Sequence, residues 1–291
     1  MAGNAWVLVE HWRGQVSEIT YEVLALGREI ADGLGVKLEA VLLASHGKDL
    51  AASLGKADAV LYVDHPTLAE PLHEPYAEAL VQMAATRQPR AVLIPLTNVT
   101  MGVSTFLAAR LESSEINFCK DVQVSGNSIQ ARCVLYGGKM EATVAVTQQP
   151  AVLGIWPGAR PAEKGRAAGT PAVEEVAVSL PDAVRVRFGR YIEPEAGDVD
   201  ISQQDVLVAV GRGMQSKDNL ELAEELAGAL GGAVCGSRPV IDQGWLPLSR
   251  QVGRSGVSVK SKLYVAAGIS GAPEHVEGIR GAGLILSLIH I

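Results

Sequence analysis

"AWVLVEHWRGQVSEITYEVLALGREIADGLGVKLEAVLLA", residues 5–44, decides the fold. "AWVLVE" (5–10) is an apolar run of strand length, residues 18–34 carry apolar side chains at helical spacing, and "KLEAVLLA" (37–44) is a second buried strand. Strand, helix and strand in so short a span predict a right-handed βαβ crossover and a parallel pair. The alternation then continues. A short helix falls near 47–54, a strand at "AVLYVD" (59–64), a helix at 74–88, a strand at "RAVLIPL" (90–96) and a helix at 99–112.

Beyond residue 128 the period changes to two. Residues 128–158 alternate, with Gly137-Gly138 where a tight turn would fall, which predicts antiparallel strands added to the first domain. Residues 160–204 are rich in Pro, Gly, Ala and charge, the composition of a boundary. The expected domains are therefore 1–195 and 196–291. The second opens with "DVLVAVGRGMQSKDNLELAEELAGAL" (205–230), a strand that runs through Gly211-Arg212-Gly213 into a helix starting near Asp218. That helix puts Leu222, Leu226 and Leu230 on one face, with Ser216 or Asp218 as its cap. The strands "GAVCGS" (232–237) and "KLYVAA" (262–267) follow, and a last apolar strand closes the chain. The expected class is α/β, two Rossmann-like three-layer domains, the first extended by a hairpin.

Composition narrows the function. A net charge of −7 speaks against a nucleic-acid binder, which would show a basic face. No charge-free apolar stretch reaches membrane-spanning length, and the N-terminus lacks the layout of a signal or transit peptide. Cys119, Cys133 and Cys235 are isolated and show no metal-ligand spacing, as expected of a reduced, cytoplasmic protein. His11, His46, His65 and His73 are scattered and read as surface or structural residues.

Four glycine-framed loops stand at expected strand ends of the second domain: Gly211-Arg212-Gly213, Ser237-Arg238, Gly253-Arg254-Ser255-Gly256, and "GISGAPEH" (268–275) with Ser270, Gly271 and His275. Each alone is a weak signal. Together they suggest a large anionic, partly aromatic ligand: glycine admits close backbone approach, serine supplies hydrogen bonds, and arginine and histidine supply positive charge. An NAD-dependent enzyme fits less well, because "GRGMQS" lacks GxGxxG spacing and no acidic residue follows at the usual distance. A non-redox nucleotide-binding protein would account for the first domain but not for the four loops.

The ordered series "GRG…SR…GRSG…KLYVAAGISGAPEH" resembles the FAD-binding domain of electron transfer flavoprotein α subunits. The first domain is similar too, in "VLVEHWRGQVSEITYEVLALGREIA", "YGGKMEATV" and "PAVLGIWPGA". The resemblance implies an electron carrier rather than an enzyme, with FAD on the second domain and a β subunit completing a heterodimer. Electrons would come from primary dehydrogenases, such as the acyl-CoA dehydrogenases of fatty acid β-oxidation, and leave to a membrane quinone reductase. It also implies cofactor contacts at Arg212, Ser237, Arg238, Val252, Gly253, Arg254, Ser255, Ser270, Gly271, Ala272, Pro273, Glu274 and His275. In that pattern Arg238 lies near the isoalloxazine and His275 donates towards its pyrimidine carbonyl, where reduction builds negative charge that nearby donors stabilise.

Arg254 stands where the family usually has Gln, Ser255 where it has Thr, and Pro273-Glu274 where it has Ile-Gln, so Arg254 and Glu274 are expected to compensate as a pair. These departures suit a variant branch, including one that bifurcates electrons from NADH with a second FAD in the β subunit. At the end of the chain Ile289 and Ile291 stand where the family has Asn and Asp, and "LSLIHI" (286–291) coincides with the translation of a transposon-type sequencing adapter. The expectation is a C-terminally truncated member whose last residues are foreign, with no role for His290.

Overall fold

The structure, a computed structural model, describes residues 3–126, 128–181, 185–191 and 199–289. The chain divides into two units, Met1–Gly189 and Arg190–Ile291. The expected boundary at 195/196 lies outside the described residues, as do residues 290 and 291.

In the first unit β1 (Ala5–Leu8) is followed by a small hairpin, β2 (His11–Trp12) and β3 (Gln15–Val16), and then by α1 (Glu18–Leu34). β4 (Leu38–Ala44), β5 (Ala59–Asp64), α2 (His73–Arg87), β6 (Ala91–Pro95) and α3 (Met101–Arg110) continue the alternation. Then come β7 (Glu115–Ser125), β8 (Ser128–Leu135), β9 (Met140–Val146), β10 (Ala151–Ile155) and β11 (Ala172–Glu175). They form one sheet in the order β11-β5-β4-β1-β6-β10-β7-β8-β9. Successive residues of a strand face opposite ways, so β1 serves two cores. Val7 packs with Val23, Leu26 and Ile30 of α1, while Trp6 and Leu8 pack with Tyr76, Leu80 and Met83 of α2 and Leu107 of α3. Each such side chain, fully buried, contributes about 1.5–3 kcal/mol. The result is three layers, as expected.

Three details differ from the expectation. β10 is not part of an antiparallel addition: it runs parallel between β6 and β7, and its five residues are all buried. A strand covered on both faces needs continuous apolar character, which "AVLGI" has. β7 was not anticipated, and it pairs antiparallel with β8, which pairs antiparallel with β9. The Pro- and Gly-rich boundary segment also contributes β11, which pairs parallel with β5.

The second unit holds β12 (Val206–Val210), α4 (Leu220–Ala229), β13 (Ala233–Gly236), α5 (Arg238–Asp242), β14 (Leu263–Ala267), α6 (Pro273–Glu277) and β15 (Leu284–Leu288). Its four strands are all parallel, in the order β13-β12-β14-β15. One face packs on α4 through Val208, Val210, Ala223, Ala227 and Val265; the other buries Leu207, Ala209, Cys235, Tyr264 and Ile279. The expected leucine stripe on α4 is not the packed face. Leu222 is 62% and Leu226 41% exposed, whereas Leu220, Ala223 and Ala227 are buried. Alanine lets the helix backbone settle close on the sheet, and the leucines then point away from it. Ser216 caps a short 3-10 turn, Lys217–Asn219, that precedes α4, accepting a hydrogen bond from the Asp218 backbone N–H at 3.2 Å. No helix among the described residues is long and apolar enough to cross a membrane.

Candidate functional site

Parallel strands deliver all their carboxyl ends to one edge of a sheet. The loops after β12, β13 and β14 therefore leave the second unit's sheet side by side, and the order β13-β12-β14 reverses direction at β12/β14. In open α/β sheets ligands settle at such a switch point, outside the strands' carboxyl ends. Arg212 follows β12, Ser237 and Arg238 follow β13, and Ser270 and Gly271 follow β14.

Hydrogen bonds tie these loops into one surface. The Gly211 N–H donates to the Ala267 carbonyl at 2.8 Å, and the Gly213 N–H to the Gly268 carbonyl at 2.9 Å. The Ser237 N–H donates to the Val210 carbonyl at 3.0 Å, and the Val252 N–H to the Gly236 carbonyl at 2.9 Å, which brings in the fourth loop. The Arg254 N–H then donates to the Glu274 carbonyl at 2.7 Å. All four loops named from the sequence are thus neighbours.

Most of their glycines face other loops. A Cβ on Gly211 would lie 2.3 Å from the Gly268 carbonyl oxygen, one on Gly213 2.7 Å from Gly268 Cα, and one on Gly268 2.6 Å from the Met214 nitrogen. A Cβ on Gly253 would lie 2.9 Å from the Glu274 carbonyl oxygen. Gly271 is different: its φ is +78° and nothing stands within 4 Å of where a Cβ would be. It faces open space.

The polar side chains complete the picture. Ser237 is buried, and its hydroxyl makes no hydrogen bond among the described residues. Arg212 and Arg254 are exposed, without a side-chain partner among the described residues, and Ser270, Ala272, Pro273 and Glu274 are also exposed. Ser255 Oγ accepts from Gln251 Nε2 at 2.9 Å. Arg238 is exposed and lies 3.4 Å from Asp242, one helical turn on. Arg254 and Glu274 meet through the backbone, and among the described residues no ion pair joins their side chains.

His275 is the residue whose surroundings differ most from the expectation. It is only 6% exposed, with Nδ1 at 3.1 Å from the Val252 carbonyl oxygen and Nε2 at 3.0 Å from Tyr264 Oη. Burial draws its pKa below the usual 6.5, against a smaller pull from its bond to Val252. Both ring nitrogens have partners within the protein, Val252 at Nδ1 and Tyr264 at Nε2. Tyr264 and Gln251 shape the site without standing out in the sequence; the only hint of Tyr264 is its place in the strand that leads into "GISGAPEH".

Comparison with known proteins accords with this arrangement. Residues 5–181 match the electron transfer flavoprotein domain, and residues 200–280 match the electron transfer flavoprotein FAD-binding domain. The chain is 36% identical to Protein FixB of Clostridium saccharobutylicum, over 98% of this chain and 86% of that protein. It is 32% identical to the electron transfer flavoprotein subunit alpha of Clostridium acetobutylicum, over 98% and 87%. It is 31% identical to the acryloyl-CoA reductase electron transfer subunit beta of Anaerotignum propionicum, again over 98% and 87%. Two similar domains in the family's order, with the glycine-framed loops gathered on the second, place the protein: it belongs to the electron transfer flavoprotein family as an α-type chain with an FAD-binding domain.

Proposed function

We propose that the carboxyl edge of the second unit's sheet holds FAD and that the chain works as the α subunit of a heterodimeric electron carrier, with a β-type subunit completing the site. The supporting observation is the gathering of four loops at the β12/β14 switch point, bearing cations and hydroxyls around the open face of Gly271. The donor set suits the group: Arg212 and Arg254 would offer charge to a pyrophosphate, and the Ser237 hydroxyl would offer a hydrogen bond. Ser255, Ser270, Gly271, Ala272, Pro273 and Glu274 supply the exposed rim, and Arg238 can leave its solvent-screened pairing with Asp242 at little cost. Val252 and Gly253 form the floor of the third loop, and His275 anchors that floor.

Bound FAD supplies one- and two-electron transfer. The chain's part is to orient the cofactor and to set its electrostatic surroundings, with guanidinium groups favouring the more negative reduced form. In this reading electrons come from primary dehydrogenases, acyl-CoA dehydrogenases among them, and pass to a membrane quinone reductase. The test is anaerobic: purified heterodimer, catalytic acyl-CoA dehydrogenase and excess acyl-CoA should bleach the visible flavin band. No bleaching with acyl-CoA donors, together with bleaching by NADH alone, would replace this reading by a second one. That second reading, an α-type subunit of an electron-bifurcating complex using NADH, is favoured by Arg254 and by the relative named for acryloyl-CoA reductase.

A further inference from the structure

The loop that carries Arg212 turns on a single peptide plane. Between β12 and α4 two short 3-10 turns, Arg212–Met214 and Lys217–Asn219, are joined at Gln215, whose φ of +68° and ψ of −42° belong to the strained form of the γ-turn. Its closing bond is present, from the Ser216 N–H to the Met214 carbonyl at 2.8 Å. A residue with a Cβ avoids this conformation, and such strain persists only where the surroundings hold it. Asn219, half-buried at the start of α4, supplies the hold: its Nδ2 donates to the same Met214 carbonyl at 2.7 Å. A carbonyl oxygen only accepts, so this bond by itself fixes which way the amide points. The peptide that bears the Met214 carbonyl also bears the Gln215 N–H, which donates to the Arg212 carbonyl at 3.1 Å. Turning that peptide over would release Gln215 from its strained region and break both bonds at once. The Met214 side chain is buried against the sheet, so the turn has a fixed base, while the Arg212 side chain above it is exposed.

We propose that Asn219 is a positioning residue for the cofactor's pyrophosphate: it holds the Met214–Gln215 peptide in its strained setting and so keeps the turn that presents Arg212 to the phosphates. The role at the phosphates rests on the flavin reading above, whereas the hold on the turn does not.

The experiment uses the heterodimer and two readouts, the Kd for FAD by titration and the urea midpoint of the FAD-free protein. Asn219→Ala should raise Kd about tenfold, as for loss of one hydrogen bond that fixes the loop. Gln215→Gly removes the strain that Asn219 offsets, because glycine adopts positive φ freely. In that background Asn219→Ala should raise Kd no more than about threefold, whereas a side chain that only supported α4 would cost the same in both. In an Arg212→Ala background the step should shrink to about twofold or less, since the group being positioned is gone. Should Asn219→Ala alone fail to assemble, adding Gln215→Gly should restore assembly. Unchanged Kd in folded Asn219→Ala, a full tenfold step in either background, or no restoration by Gln215→Gly would overturn the proposal. Wild type that takes up no FAD would overturn the flavin reading and the role at the phosphates with it. The urea midpoints then still decide the hold on the turn: Asn219→Ala should lower the midpoint less in the Gln215→Gly background, and an equal fall in both would overturn it.

Discussion

Gly268→Ala tests whether the site's glycines serve contact between loops. Gly268 has a φ of +69°, and a Cβ there would stand 2.6 Å from the Met214 nitrogen, 2.7 Å from the Gly213 carbonyl carbon and 2.8 Å from Gly213 Cα. All three are backbone atoms, so no side chain can swing aside. A residue with a Cβ in this conformation costs about 1–2 kcal/mol. Forcing apart packed neighbours costs typically another ~1–3 kcal/mol. The sum, roughly 2–5 kcal/mol, lowers the melting temperature of a unit this size by about 10 °C or more. Gly271→Ala is the built-in control. Its φ of +78° brings the same conformational cost, but nothing lies within 4 Å of the added carbon. Urea denaturation followed in the second unit should therefore place Gly268→Ala well below Gly271→Ala, by at least about 1 kcal/mol. Equal stability of the two variants would refute the argument that Gly213 and Gly268 are held in contact.

Two further outcomes follow from the second unit. On α4, Leu222→Ala should change stability by no more than about 0.5 kcal/mol, while Ala227→Leu, forced against the sheet, should cost about 1–3 kcal/mol in the same denaturation assay. His275 titrates at a lower pH folded than unfolded, so the unfolded chain binds the extra proton first. Its contribution to stability is complete above the unfolded value near 6.5 and declines as pH falls from there towards the folded value. Denaturation midpoints between pH 7.5 and 5 should fall less steeply in His275→Asn than in wild type.

Several elements could be read directly from residue patterns, and the exceptions have physical causes. α1 and β5 occupy the spans expected of them, because their periodicity is uninterrupted. β7 was hidden, since "EINFCKDVQVS" mixes charges among its apolar residues, Phe118 has a φ of +58°, and the pairing register shifts between Cys119 and Asp121. The leucines of α4 look like a core stripe in isolation; which face packs depends on how closely the sheet approaches, and alanine permits the closer approach. In the site, the four loops stood out as glycine-framed turns, and the parallel sheet accounts for their gathering. The use of those glycines was not visible, because it depends on Gly268 facing Gly213 and on Gly253 facing Glu274. The surroundings of His275 depend likewise on Tyr264 of β14 lying under α6, a contact that spacing along the chain does not reveal.

The claim on which the rest depends is that the loops after β12, β13 and β14 hold FAD around the open side of Gly271. Its most direct test is FAD titration of the purified heterodimer, comparing wild type with Gly271→Leu, whose side chain would fill that side. The account predicts one equivalent of FAD bound per α chain in the wild type and binding at least tenfold weaker in the folded variant, on the scale of about 1.4 kcal/mol. Equal affinity in the two proteins, or a wild-type heterodimer that stays colourless with excess FAD, would contradict it.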